Sequence, residues 1–571
     1  MRMPKSAAGT AGRPAQGTSA TDAAASGERL AGAAPPGPEA PATGPEAAAT
    51  EPGSSPASRN RVGWNPASWR AGMWPALRRH WLAAALLLAG LVLRILTQIA
   101  YRPALLYIDS VKYLYNAWPG TDPVGYKVPL KFILFFGNLS TVAAIQHLLG
   151  LAMAVALYLV LLRRGCSRWL AALAIAPVLL DAYQLQMEQT IMPDVWFEAL
   201  IVAGLAALLW RPRPGLRTVI AAGLILGSTA TFRQVGEILV LPAAVYVAIT
   251  AAGWRARAGH AAALCAAFAL PILTYSGISL AQNGHFQLSH SGTSELYGRM
   301  AADADCATLK LPAYQRALCP TPRQQALGPD ALEHSTASPL KDYTAPDGRR
   351  RSKVIASFNH QVLLQQPLRI IGAISRDASK LFALTRVTSP GDTPISRWQF
   401  QDGYPTYGRT ISVNPQHVIV LGVQLNADGG INYPNGDVNY ATSLPASVGG
   451  KAAVIRPLAV FLRGYQLRGG YTPGPLLAIA AIAGLIGSAS LFRRRRGADP
   501  ARPRAARPEY QAALACFLIF TSAAAVLLTS DLFEFSWRYQ LPALITVPPA
   551  GALGIAAILA AVRTRRAGTA A

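Results

Sequence analysis

Residues 81–100 read WLAAALLLAGLVLRILTQIA, a run of twenty residues in which Arg94 is the one charged side chain. A run of this length and polarity can cross the hydrocarbon core of a bilayer as an α-helix. Nine more apolar stretches follow, and the ten predicted membrane helices are Trp81–Ala100, Thr141–Leu162, Trp169–Leu180, Val195–Trp210, Leu216–Thr231, Val235–Ala252, His260–Leu280, Pro475–Phe492, Ala512–Thr529 and Leu541–Val562. The predicted fold class is an α-helical polytopic membrane protein of about ten transmembrane helices, with a mixed extracytoplasmic domain between the seventh and the eighth.

Arginines follow alternate ends of these stretches, for example Arg163 and Arg164 after the second, Arg211 after the fourth and Arg563 after the tenth. Loops rich in Lys and Arg stay on the cytosolic side. We therefore predict a multi-pass plasma-membrane protein with both termini cytosolic and the large loop extracytoplasmic. The same arginines account for the net charge of +25 and suit contact with anionic membrane lipids. Because no basic-plus-aromatic binding motif appears, the sequence excludes nucleic acid as a partner.

The chain divides into five predicted parts. Residues 1–75 are rich in Ala, Pro, Gly, Ser and Thr and bury too little surface to fold, so they are predicted to be a disordered cytosolic tail. Residues 76–280 hold helices one to seven with catalytic outer loops, and residues 281–472 form the extracytoplasmic domain. Residues 473–563 hold helices eight to ten, and residues 564–571 are a short cytosolic tail.

Two loops on the predicted outer side have features of their own. In the first, residues 107–115 and 127–136 have apolar side chains at helical spacing, which predicts short helices lying in the membrane interface. In the large loop, Cys306 and Cys319 flank a polar stretch, and an extracytoplasmic position favours a disulfide between them. The cysteine pattern contains no CxxC pair typical of a structural zinc site.

Asp109 lies in the first outer loop, a few residues beyond the first predicted helix. One interpretation is a helix N-cap, a position that Asp suits well. The other is a general base in an outer cleft, where partial removal from water raises the proton affinity of a carboxylate. Both interpretations stay open on position alone.

Glu188, Asp194 and Glu198 crowd one turn between two predicted helices. A negative charge at a helix N-terminus is favourable, and this accounts for Asp194 structurally. Three like charges so close also require a proton or a positive partner, and a divalent metal is left open as a possible cofactor. Arg94, inside the first helix, is costly in lipid, so it either extends toward the interface or pairs with an acidic residue in the bundle.

Arg233 and Arg538 lie at the outer ends of predicted helices. The planar guanidinium fork suits the recognition of a phosphate. An ion pair with Asp531 or Glu534 is an equally good account of these arginines. Lys127 is a weaker candidate for the same phosphate role.

Taken in order, these motifs resemble the C-type membrane glycosyltransferases, in particular protein mannosyltransferases, lipid A aminoarabinose transferases and lipopolysaccharide-core sugar transferases. The motifs that carry the resemblance are Leu93-Arg94, Ile108-Asp109-Ser110 with Tyr113, Met192-Pro193-Asp194, Thr231-Phe232-Arg233 and Arg538-Tyr539 followed by Pro542. The segment from Leu296 to Pro320 also resembles actinobacterial membrane proteins of this group.

The resemblance implies transfer of a sugar from a polyprenyl-phosphate-linked donor, with its tail in the membrane lipids, to a cell-envelope glycan, lipid or protein. Because such a donor brings its own leaving group, no nucleotide or redox cofactor is needed. The resemblance implies Asp109 and Asp194 as catalytic residues, and the substrate-binding candidates are Arg233, Arg538, Tyr113, Lys127 and Glu188.

Three other functions stay open. A transporter or flippase for lipid-linked glycans usually has polar residues at the bilayer midplane, often in repeated halves. Here the charged residues lie mostly at the outer ends of the helices and no repeat is evident, which favours the enzyme. A non-catalytic envelope scaffold and a glycan polymerase are the remaining alternatives.

Overall fold

The computed structural model describes residues 75, 78–107, 109–114, 123, 125–289, 291–404, 453–492 and 507–569, with short backbone stretches between 409 and 432. The predicted cytosolic tail of residues 1–75, apart from residue 75, lies outside the described residues.

Helices dominate the described chain. Before residue 284 they are α1 Trp81–Ala100, α2 Ser110–Leu114, α3 Lys127–Phe136, α4 Leu139–Arg163, α5 Arg168–Leu180, α6 Ala182–Gln189, α7 Asp194–Leu209, α8 Leu216–Phe232, α9 Val240–Thr250 and α10 Trp254–Asn283. The following helices are α11 Gly292–Asp303, α12 Ala313–Arg316, α13 Pro322–Gln325, α14 Pro329–His334, α15 Pro339–Asp342, α16 Arg351–Gln365, α17 Pro367–Lys380 and α18 Arg456–Leu467. The last three are α19 Gly474–Ser490, α20 Pro508–Phe533 and α21 Leu541–Thr569.

Five helical spans in the described chain are long and apolar enough to cross a membrane. They are Trp81–Ala100, Leu139–Arg163, Trp254–Gln282, Pro508–Phe533 and Trp537–Thr564. A sixth is present if α5 and α6, bent by 49° about Asp181, count as one broken span. By length and composition the chain is therefore a multi-pass membrane protein.

A helix lies at each of the ten apolar stretches, but several of these helices are short. Leu216–Phe232, Gln234–Thr250 and Gly474–Ser490 are apolar and have 17 residues or fewer. The sixth predicted helix begins as a 3-10 helix, Gln234–Leu239, that continues into α9. The count of ten membrane crossings stays a prediction, because half of the candidates fall below the length of a full span.

Small residues bring the bundle helices close together. Helix α20 packs on α21, which also packs on α19, and α8 lies between α7 and α10. A side chain at Gly227 would meet the backbone of Phe268, and one at Gly554 would meet the backbone of Ala483. Close backbone contact of this kind is how helices gain packing energy where no hydrophobic driving force acts between them.

The segment 281–472 has a hydrophobic core separate from that of the bundle. Its centre contains Tyr297, Met300, Leu332 and Phe358 from α11, α14 and α16. Cys306 and Cys319 are joined by a disulfide, with their Cα atoms 6.0 Å apart. The described part of the segment is largely helical, and much of the turn-rich stretch 399–449 lies outside the described residues.

The strands in the described part of the chain form three two-stranded antiparallel sheets. Strand β1, Tyr101–Arg102, pairs with β6, Ala453–Val454, and so ties the end of α1 to the start of α18. Strands β2, Arg409–Ile411, and β3, Val420–Gly422, form the second sheet. Strands β4, Gln424–Leu425, and β5, Ile431–Asn432, form the third.

A buried ion pair also holds the segment 281–472 to the bundle. The guanidinium of Arg386 donates to both carboxylate oxygens of Asp181, at 3.2 and 2.8 Å. Asp181 also accepts a hydrogen bond of 2.7 Å from the backbone N–H of Thr472. Because Asp181 is the corner between α5 and α6, the segment is attached at a rigid point of the bundle.

Helices α2 and α3 form where the first loop was predicted to be helical. Helix α3 has two faces: Leu130 and Ile133 are buried, whereas Phe132 and Phe135 are exposed, the latter by 90%. An exposed aromatic face on a short helix beside membrane spans fits the predicted position in the lipid interface.

Candidate functional site

A cavity of about 860 Å³ lies between the bundle and the segment 281–472. Asp109, Arg233 and Arg538 line it from the bundle side. Glu333 and His334 of α14 line it from the opposite side. The bundle wall therefore contains several of the residues singled out in the sequence, and the opposite wall is formed by residues that the sequence reasoning missed.

Two arginines and two aspartates meet in one ion-pair cluster at the bundle wall. The Nη1 of Arg538 lies 2.9 Å from Oδ2 of Asp109, and its Nε lies 3.0 and 3.1 Å from the two carboxylate oxygens of Asp194. The Nη1 of Arg233 lies 2.6 Å from Oδ1 of Asp194. We call these four residues the Asp–Arg cluster. Arg538 links the two aspartates, so residues far apart in the chain share one site.

Backbone pairing explains how the two aspartates come together. The N–H of Leu105 donates to the carbonyl of Gln189, and the N–H of Ile191 donates to the carbonyl of Leu105. The hydroxyl of Ser110 donates to the carbonyl of Ile191 at 2.8 Å. The loop that contains Asp109 is thus bonded to the turn that precedes α7.

Each arginine of the cluster lies at a helix boundary. Arg233 is the residue after α8, where its N–H still bonds to the carbonyl of Thr229. Arg538 belongs to the 3-10 helix Trp537–Gln540 that leads into α21. The ring of Tyr539 lies 4.3 Å from the guanidinium of Arg233, a cation–π contact that keeps the fork in place.

Exposure differs within the cluster. The side chains of Asp194 and Arg538 are 5% and 6% exposed, and that of Arg233 is 16% exposed. The side chain of Asp109 is 29% exposed. Asp194 therefore lies beneath the arginines, whereas Asp109 lies at the edge that opens into the cavity.

The structure does not bring Glu188 to the cavity. Its carboxylate is fully buried, 2.7 Å from Nη2 of Arg94 and 2.9 Å from Nδ1 of His147. Arg94 also donates to the carbonyls of Val178 and Leu179. We call Arg94, Glu188 and His147 the interior cluster. Of the two possibilities for Arg94, the pairing with an acidic residue is the one observed, and Glu188 does not belong to the described cavity lining.

The remaining candidates are divided. Tyr113 lines the cavity, with its ring centroid 5.3 Å from that of Tyr126. Lys127 is buried at the start of α3 and does not belong to the described cavity lining. Burial and the neighbouring Lys131 lower the pKa of Lys127 to about 8. The predicted role of Lys127 in phosphate binding has no support from its position.

Glu198, the third acid of the turn, is also buried and accepts a hydrogen bond of 2.9 Å from Gln184.

The opposite wall contains several titratable groups. Burial, together with Glu295 and other neighbouring acids, raises the pKa of Glu333 to about 8. Partial removal from water lowers the pKa of His334, whose side chain is 58% exposed, but the hydrogen bond to Asp330 and the nearby carboxylates outweigh it and raise this pKa to about 10. The Nδ1 of His334 lies 3.3 Å from the Asp330 carboxylate. The four-residue spacing of Asp330 and His334 was visible in the sequence, but nothing there placed it opposite Arg538.

Among the described residues, no group of three or more His, Cys, Asp or Glu side chains is arranged to hold a metal ion. In the Asp–Arg cluster the two aspartates are bridged by Arg538. The chemistry available at this wall is therefore anion binding by arginine beside an accessible carboxylate.

Comparison with known proteins gives little more. No protein-family model matches the chain, and no curated protein matches its sequence. Among solved structures, the chain is similar to the S. cerevisiae protein O-mannosyltransferase Pmt1–Pmt2 complex bound to the sugar donor, at 15% identity and a TM-score of 0.31. The likeness covers 41% of this chain and 38% of that chain. A likeness this partial carries no information about the reaction. Any indication of the reaction must come from the residues of the cavity.

Proposed function

We propose that the chain is an integral-membrane glycosyltransferase. It moves a sugar from a polyprenyl-phosphate-linked donor to a hydroxyl group of a cell-envelope acceptor. The observation that carries this proposal is the Asp–Arg cluster: two arginine forks and an accessible aspartate, at the ends of apolar helices, face one cavity of about 860 Å³.

The arginines suit the phosphate of the donor. Arg233 and Arg538 both touch Asp194, which holds their forks side by side at the cavity wall. Preorganised donors of this kind stabilise the charge that develops on a leaving phosphate. We therefore assign Asp194 a positioning role, and Tyr113, also on the cavity lining, a contact to the donor head group.

Asp109 suits the role of general base. It is the most exposed carboxylate of the Asp–Arg cluster, so an acceptor hydroxyl can reach it. The acceptor oxygen forms a bond to the anomeric carbon of the sugar while its proton passes to Asp109. The bond from the anomeric carbon to the phosphate oxygen breaks, and the polyprenyl phosphate keeps the electron pair beside the arginines.

The surroundings provide places for the other reactants. The polyprenyl tail would lie in the bilayer beside α3, whose exposed Phe132 and Phe135 face outward. The acceptor would enter along the wall formed by the segment 281–472, which we propose to be extracytoplasmic. With the arginine-rich helix ends in the cytosol, the protein belongs in the plasma membrane with both termini cytosolic.

The test supplies purified protein with a panel of polyprenyl-phosphate-linked sugars and candidate acceptors, and follows transfer by mass spectrometry. Asp109→Asn should lower transfer by about 10²–10⁴-fold, the range for loss of a general base, and leave membrane insertion intact. Asp347→Asn, on an exposed turn of the segment 281–472, is the matched control and should transfer normally. Unchanged transfer by Asp109→Asn removes Asp109 from the mechanism. Substrate-dependent transport in sealed vesicles with no glycosylated product would favour the flippase instead.

A further inference from the structure

We propose that Asp109 occupies the phosphate position on Arg538 until the donor arrives, and that the donor phosphate displaces it. The displaced carboxylate is then free to act as the base, so the donor must bind before the acceptor reacts. This inference rests on the proposed function and adds an order of events to it.

The contacts within the Asp–Arg cluster separate a permanent partner from an exchangeable one. Asp194 is bound by Arg538 and by Arg233, begins the rigid helix α7 and is nearly buried. Asp109 contacts Nη1 of Arg538 from the short loop before α2, and its side chain is 29% exposed. Moving Asp109 into the cavity therefore disturbs less packing than moving Asp194, and its carboxylate stays in contact with water.

The charges lead to the same assignment. Two arginines and two aspartates form a neutral set. A neutral set offers a phosphodiester no net attraction, and Asp109 in contact with Nη1 would repel it. Once Asp109 leaves, both arginines with Asp194 keep one positive charge, which matches the single negative charge of a sugar–phosphate–polyprenyl diester.

In this exchange the base stays inactive until the donor binds. A carboxylate held against an arginine favours its ionised form and accepts a proton poorly. After displacement, Asp109 loses this partner and lies beside the phosphate, close to the anomeric carbon that the acceptor must attack. Donor binding and base activation are thus one event.

The experiment measures binding of undecaprenyl phosphate to the purified full chain in nanodiscs. Asp109→Asn should bind it about fivefold more tightly than the wild type, the gain expected when competition from a partly exposed ion pair is lost. Asp109→Ala should show the same gain, so poor folding of one variant does not remove the test. Asp194→Asn changes the net charge of the set by the same amount, but it leaves Asp109 on Arg538 and removes the shared partner of the two arginines. It is therefore a charge-matched control that should not show the gain, and Asp347→Asn should match the wild type.

The exchange is overturned if both Asp109 variants bind undecaprenyl phosphate no more tightly than the wild type does. Thermal unfolding curves serve to show that both variants are folded. Failure of the exchange is distinct from failure of the proposed function, because binding is measured without any sugar transfer. If the wild type transfers sugar and the Asp109 variants show no gain in binding, the enzyme stands and the exchange falls. If neither the wild type nor the variants bind undecaprenyl phosphate, both proposals fall.

Discussion

The interior cluster and the Asp–Arg cluster both pair arginine with carboxylate, but they differ in access. In the interior cluster, Arg94 and Glu188 are 2% and 0% exposed and lie 2.7 Å apart. In the Asp–Arg cluster, contacts of 2.6–3.1 Å join Arg233, Arg538 and the two aspartates, and one edge opens into the cavity. Similar ion pairs therefore hold the bundle together in one place and form a candidate reaction site in the other.

The two clusters are separated by one turn of chain. Glu188 lies in the last turn of α6, which faces α1 and α4, whereas Asp194 begins α7 beside the cavity. A charge that is paired inside a membrane bundle favours the one arrangement of the helices in which it keeps its partner. A paired charge with an accessible edge can exchange its partner for a ligand. Access to the cavity, and not the identity of the residue, distinguishes the two.

Among the variants that compare the two clusters, loss of Arg538 should have the largest effect on transfer. Arg538→Gln removes the fork from both aspartates and from the phosphate, and transfer should fall by about 10²–10³-fold, as for loss of one donor that stabilises developing charge. Arg538→Lys should recover only a small part, since a single ammonium cannot reproduce the planar fork. Initial rates with saturating acceptor measure this effect. Wild-type rates in Arg538→Gln would place the leaving phosphate elsewhere.

Disruption of the interior cluster should lower the stability of the protein and leave the transfer rate of the folded molecules nearly unchanged. Glu188→Ala leaves the Arg94 charge buried and unpaired, and breaking such a pair costs about 3–5 kcal/mol. Thermal unfolding in detergent should show a clear fall in Tm, whereas the rate per folded molecule should stay near the wild-type rate. The double variant Arg94→Met with Glu188→Met should regain much of the Tm, because neither charge remains. A folded Glu188→Ala protein that has lost transfer would show that the two clusters act together.

The apolar pattern predicted the helices well because burial in lipid requires long apolar runs. Helix α1 has the predicted bounds, Trp81–Ala100. Boundaries that depend on local hydrogen bonds were less accurate: α10 begins at Trp254, and the predicted sixth helix starts as a 3-10 turn after Arg233. The inserted segment was predicted to be mixed, and its described part is mainly helical.

The candidate site residues stood out in the sequence because their type was unusual for their position. Asp194, Arg233 and Arg538 are charged residues at the ends of apolar helices, and Asp109 lies in the loop before α2. The structure brings these four residues together, and their roles stay predictions. Their pairing was not predictable, because it depends on backbone bonds between distant segments. Glu188 has the same sequence signature, and only packing shows that it faces the interior.

No pattern in the sequence predicted the wall opposite the Asp–Arg cluster. Glu333 lies on α14, within a segment whose charged residues are common for any solvated helix. Its place in the cavity depends on how the core around Tyr297 and Leu332 positions α14 against the bundle. Long-range packing of this kind has no local pattern in the sequence.

The smallest predicted effect tests that wall by pH. Because the pKa of Glu333 is raised to about 8, its carboxyl is mainly protonated at pH 7 and ionised at pH 9. Ionisation adds a negative charge to a cavity that binds an anionic donor, so the donor KM should rise by about twofold over this interval, a modest change because solvent screens an open cavity. His334, with a pKa of about 10, stays largely protonated throughout, and Glu295 and Asp330 are the other acids on this wall. Glu534, at the end of α20, lines the same cavity, and burial and Asp330 raise its pKa to about 7, so it is already partly ionised at pH 7. Glu333→Gln should reduce the rise, whereas Asp347→Asn should keep it in full. An undiminished rise in Glu333→Gln would mean that Glu333 is not the titrating group.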